Sequence, residues 1–178
     1  MIEVISGTNR PDANALKIAK NVVALYEKHG AEVSLFNLQE LPHEIFDPSS
    51  YAKKPDAFAA FQKRILEAKG LHIISPEYNG SIPGILKYFI DMLKFPESFE
   101  HRCVAFTGEA AGIWGAIRPV EQLQMIFGYR NAHALPERVF IPGVNKVLNE
   151  HGEIIDEAIH ARLESQVKAF IEFTARFA

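Results

Sequence analysis

The sequence predicts an α/β fold with a mainly parallel sheet, and three observations carry that expectation. Short apolar runs rich in β-branched residues alternate with longer segments of helical periodicity. One run, Leu71-His72-Ile73-Ile74-Ser75, is almost continuously apolar, as a strand covered on both faces should be. Loops dense in Gly, Pro, Asn and Thr follow three of the runs, which puts sharply turning polar chain at strand ends.

The strands are expected at Ile2 to Ser6, Glu32 to Asn37, Leu71 to Ser75, Cys103 to Thr107 and Leu135 to Ile141. Helices are expected at Asn14 to His29, Asp56 to Lys69, Ile82 to Lys94, Gly115 to Phe127 and Ile155 to Arg176. Gly30 and Gly70 follow the first two helices as C′ residues, and Asp56 can cap the second. In the last helix Ile159, Leu163, Val167, Phe170, Ile171 and Thr174 form one apolar stripe, which should pack on the sheet. Leu41 to Pro55 lacks periodicity and reads as a long loop, a class that is often functional. Right-handed crossovers leave few topologies, and the flavodoxin-like order 2-1-3-4-5 is the choice, a three-layer sandwich. In that order ligands bind beyond the carboxyl ends of the strands flanking the switch point, strands one and three.

Composition narrows the function classes. With 178 residues, 48% of them apolar, the chain suits one domain over positions 1–178. The 19 basic and 22 acidic residues leave a net charge of −3 without like-charge runs, so neither nucleic acid nor a membrane surface is an expected partner. The first residues lack the basic and long apolar regions of a signal peptide, and the single Cys103 sits in a strand pattern as a buried thiol; a cytoplasmic location is expected. The seven histidines show no metal-binding spacing, and His72 reads as a satisfied core histidine.

Three loops can carry chemistry. After the first strand, Gly7-Thr8-Asn9-Arg10-Pro11-Asp12-Ala13-Asn14 runs into a helix, an anion site in outline, with Thr8, Arg10 and Asn14 as side-chain donors. An ordinary turn with Asn14 as N-cap explains the same residues. After the third strand, Pro76-Glu77-Tyr78-Asn79-Gly80-Ser81 can present amides and an aromatic face to a polar heterocycle, with Ser81 capping the next helix. After the fourth, Gly108, Gly112 and Gly115 permit close approach of a flat ligand, though turn geometry explains each singly. No Gly-x-Gly-x-x-Gly follows a strand, and no Gly-Lys-Ser/Thr occurs.

At these residues the chain resembles the NADPH-dependent FMN reductase family, which includes quinone, azo-dye and chromate reductases. Pro76-Glu77-Tyr78-Asn79-Gly80-Ser81-Ile82-Pro83-Gly84-Ile85-Leu86-Lys87 resembles the family signature, and Gly7-Thr8-Asn9-Arg10 resembles its Gly-Ser-x-Arg phosphate loop. The resemblance implies that Thr8, Arg10 and Asn14 hold the FMN phosphate. It places Pro76, Glu77, Tyr78, Asn79 and Gly80 along the ribityl chain and ring, with Thr107, Gly108 and Gly112 bordering the ring. Ala13 stands where the family often has serine. NADPH or NADH would reduce the flavin and a small acceptor would reoxidise it, so no catalytic dyad is nominated. A homodimer or homotetramer is also implied, built on the apolar face of Ile85, Phe89, Ile90, Leu93 and Phe95. The competing reading is a non-enzymatic flavodoxin-like electron carrier or regulatory FMN-binding protein.

Overall fold

The structure, a computed structural model, describes residues 1–177. Strands β1 (Ile2–Ser6), β2 (Val33–Asn37), β3 (Gly70–Pro76) and β4 (Cys103–Glu109) form the parallel sheet, and β5 (His133–Ala134) and β6 (Val139–Ile141) both pair with β4. The order β2-β1-β3-β4-β5 is the predicted one. The fifth strand, expected as one run, is split. Pro136 has no N–H to give the ladder, and the Glu137 carbonyl turns to the Gln166 amide instead (3.0 Å). β3 and β4 run further than expected and end side by side, with Pro76 opposite Glu109.

Helices α1 (Asn14–Lys28), α5 (Val144–Val147) and α6 (Glu157–Arg176) cover one face. Helices α2 (Ala59–Glu67), α3 (Gly84–Met92) and α4 (Ile117–Tyr129) cover the other. In α1, Ala15, Ile18, Ala19, Val22, Leu25 and Tyr26 are buried at helical spacing, and the helix stops before Gly30, whose φ of +72° suits glycine. The stripe predicted for α6 is buried at Ile159, Leu163, Val167, Phe170 and Thr174, and Asp156 caps the helix by accepting the Ile159 N–H.

Three local expectations are corrected. Asp56 lies inside a short 3-10 turn that precedes α2, not at a cap. Gly70 opens β3 and does not close a helix; a Cβ there would meet Thr174 and Phe170 within 2.8 Å. Ser81 does not cap α3 either, because its hydroxyl donates to Gln122 (2.9 Å) on α4. The 41–55 segment folds into 3-10 turns that pack on α3, where the Tyr88 hydroxyl donates to the Ile45 carbonyl (2.6 Å).

His72 is the core histidine expected from its strand. It is fully buried, and burial holds its pKa down to about 3, so the ring is neutral. Tyr26 lies 2.9 Å from Nδ1 and Thr107 lies 2.9 Å from Nε2. Cys103 is buried at the start of β4.

Candidate functional site

The three loops leave the sheet at the carboxyl ends of β1, β3 and β4. The first is pinned at its root: the Gly7 N–H donates to the Ile74 carbonyl (2.9 Å), and a Cβ on Gly7 would lie 2.7 Å from that oxygen. Thr8 is buried, accepts the Arg10 N–H (3.2 Å) and lies 3.1 Å from the Tyr78 hydroxyl. Arg10 is exposed and has no ion pair among the described residues. Helix α1 starts after Ala13, whose side chain cannot cap it. Asn14 is therefore the first helical residue, not the cap, and donates to Asn145 (3.0 Å).

The second loop is built on a tight reversal. Tyr78 and Ser81 exchange both backbone hydrogen bonds (3.0 and 3.1 Å), with Asn79 at φ +52° and Gly80 at φ +75°. Two positive φ values at an Asn-Gly pair identify a type I′ turn, the geometry that pair favours. The Glu77 N–H donates to the Glu109 carbonyl (3.1 Å), and its carboxylate pairs with Arg118 (3.1 Å). This turn aims Tyr78 back towards the first loop, where it meets Thr8.

In the third loop, glycine serves mainly the packing of the chain on itself. A Cβ on Gly108 would lie 2.8 Å from the Gly115 carbonyl, and one on Gly115 would lie 2.9 Å from the Pro142 nitrogen. Gly112 has open space around it. Thr107 is fully buried, with its hydroxyl given to Gln166 (2.7 Å).

A crevice of about 480 Å³ opens between these loops. Among the residues singled out from sequence it brings together Arg10, Asn14, Pro76, Glu77 and Tyr78. Thr8 lies beneath it through Tyr78, while Asn79, Gly80, Thr107, Gly108 and Gly112 shape its surroundings without lining it. Sequence reasoning missed Glu109, which β4 carries to the crevice wall, and Asn145 from α5. A charged residue ending an apolar strand signalled the first; nothing local signalled the second.

The crevice suits an anion at one end, where an unpaired guanidinium meets a helix start without a side-chain cap, and a flat group along Tyr78. The family described as NADPH-dependent FMN reductase matches residues 1–146. The chain belongs to this family. It is 34% identical to a quinone reductase of Escherichia coli (strain K12) over 126 residues, 68% of this chain and 67% of the relative. With an NADPH azoreductase of Bacillus sp. (strain OY1-2) it shares 26% identity over 94% of this chain and 90% of that one. The solved structure of FerB, a flavoenzyme NAD(P)H:(acceptor) oxidoreductase from Paracoccus denitrificans, superposes with a TM-score of 0.81 at 25% identity, covering 98% of this chain and 97% of FerB. The protein is thus an FMN-dependent NAD(P)H reductase of flavodoxin-like fold, and the donor set of the crevice fits its cofactor. No helix among the described residues is long and apolar enough to cross a membrane.

Proposed function

We propose that the crevice holds FMN with its phosphate at Thr8, Arg10 and Asn14 and its ring along Pro76, Glu77, Tyr78 and Asn79, and that the acceptor is a small oxidant such as a quinone, azo compound, free flavin or metal oxyanion. The contact that carries this reading is Thr8 to Tyr78 (3.1 Å), which joins the anion-binding loop to the ring-bearing loop across one crevice. Arg10 supplies a charge-assisted bond to phosphate. The Tyr78 ring covers an apolar face, and the type I′ turn at Asn79 and Gly80 fixes where that ring stands. Gly108 and Thr107 hold the β4 end in place, and Gly112 lies beside the crevice with open space around it. Bound FMN supplies the two-electron chemistry between nicotinamide and acceptor.

Positions 1–178 act as a single FMN-binding domain in the cytoplasm, a location supported by a lone, buried thiol. The chain forms a homodimer, or a homotetramer built from it. Phe89, Ile90 and Leu93 are buried within the protomer, so the pairing surface is the exposed set Phe95, Met125 and Tyr129 around a groove of about 460 Å³ between α3 and α4. Sedimentation at micromolar concentration reads this, and a single monomeric species would refute it.

The purified protein is expected to bind FMN and to oxidise NADPH or NADH when a quinone is supplied; FMN binding without turnover would favour an electron carrier. Arg10→Ala should weaken FMN binding by about tenfold, the loss of one charge-assisted hydrogen bond, with the fold intact. An unchanged affinity in a fluorescence titration would remove Arg10 from the site.

A further inference from the structure

The anion end of the crevice contains an acid. Glu109 ends β4, is 5% exposed, and lines the same wall as Asn14 and Tyr78. Along β4, Cys103, Ala105 and Thr107 share its face, which is the face packed by α1 and α6. Glu109 therefore faces the first turn of α1, whose Ala15 N–H favours its ionised form. This is the helix start that Ala13 leaves without a side-chain cap. No side chain among the described residues forms an ion pair or hydrogen bond with the Glu109 carboxyl. The charged groups facing it are Arg10 and Asp12 from the first loop and Glu77 from the second, the last already paired with Arg118; α5 presents the neutral Asn145.

We propose that Glu109 sets the affinity of the site for the phosphate of FMN, admitting it when the carboxyl is protonated and opposing it when the carboxylate is ionised at the α1 start. The inference rests on the FMN reading above. An ionised carboxylate at this position competes with an anionic ligand for the positive end of α1, and it adds a like charge in a partly desolvated wall. Burial raises the Glu109 pKa to about 7, against the Ala15 N–H, which lowers it, so the charge changes near neutral pH. The neutral form can still be held in the wall, because a carboxyl is isosteric with the amide of glutamine.

The test is an FMN and riboflavin binding titration on wild type and Glu109→Gln at about pH 6 and about pH 8.5, on either side of that value. At the higher pH the variant is expected to bind FMN about tenfold tighter than wild type, and at the lower pH the two should agree within about twofold. Riboflavin, which has no phosphate, should bind both proteins alike at both values. FMN binding that is equal in the two proteins at the higher pH overturns the inference and leaves the cofactor reading standing. An equal gain for riboflavin also overturns it, since the carboxylate would then act on the ring. Absence of FMN binding in both proteins overturns the cofactor reading and the inference with it. Wild type alone carries a second measure: its ratio of FMN to riboflavin affinity should fall as pH rises, and a flat or rising ratio overturns the inference whether or not the variant folds.

Discussion

Replacing Arg64 with alanine is expected to cost about 3–5 kcal/mol of folding stability, because it strands an ionised group inside the protein. Glu3 is fully buried in β1, and Arg64 of α2 meets it through two bonds, Nε at 3.1 Å and Nη2 at 2.6 Å. The same guanidinium donates to the Ser34 hydroxyl and the Leu35 carbonyl of β2, at 2.9 and 2.8 Å, and lies 4.5 Å over the Phe36 ring. Removing it deletes the donors to two strands at once. Urea unfolding monitored by circular dichroism reads the cost. The double variant Glu3→Met, Arg64→Met should recover most of it, since an apolar pair of similar volume often replaces a buried ion pair at little loss. A single variant within about 1 kcal/mol of wild type would mean that water reaches Glu3 and that the pair contributes as a surface bridge does. The consequence extends to the site, because β1 delivers Gly7 and Thr8 to the crevice.

Much of this architecture was legible because periodicity reports burial directly. The buried faces of α1 and α6 follow from apolar spacing, and the all-buried β3 follows from its almost continuous apolar run. The Asn79-Gly80 reversal was legible as turn-forming chemistry for the same local reason. What escaped depends on tertiary placement. Parity along β4 puts Thr107 and Glu109 on one face, but only the packed helices show that this face meets α1 and α6. Thr107 therefore read as a ring neighbour while its hydroxyl lies in the core, and Glu109 was passed over while it lines the crevice. Asn145 depends on a one-turn helix after a split strand, and no residue near it in the sequence marks that placement. Ser81 had the composition of a cap, yet Gln122, 41 residues away, took its hydroxyl.

Stability should also fall steeply with acid through His72, even where no carboxylate is involved. The Thr107 hydroxyl donates to the Gln166 carbonyl oxygen, so it accepts from His72 Nε2, which fixes the proton on that nitrogen. Nδ1 then accepts from the Tyr26 hydroxyl, and the Gln166 amide donates to the Phe106 and Glu137 carbonyls (2.9 and 3.0 Å). Every group in the chain is satisfied with the ring neutral, and a second ring proton would have to be carried in full burial. The folded pKa is about 3 against an ordinary value of 6.5. Above 6.5 both states are neutral and the difference contributes nothing. Below it the unfolded chain binds a proton that the folded chain refuses, so stability is lost as pH falls from 6.5 towards 3, by on the order of 5 kcal/mol in full at about 1.36 kcal/mol per unit. His72→Gln removes the titrating group. Its stability at neutral pH should be lower, because the Tyr26 and Thr107 bonds are disturbed, but its decline with acid should be shallower than that of wild type by the histidine's share. Parallel declines in urea unfolding across this range would show that the ring accepts a proton in the folded state. Since His72 and Thr107 sit on the strands whose ends carry Tyr78 and Glu109, acid should loosen the crevice together with the core beneath it.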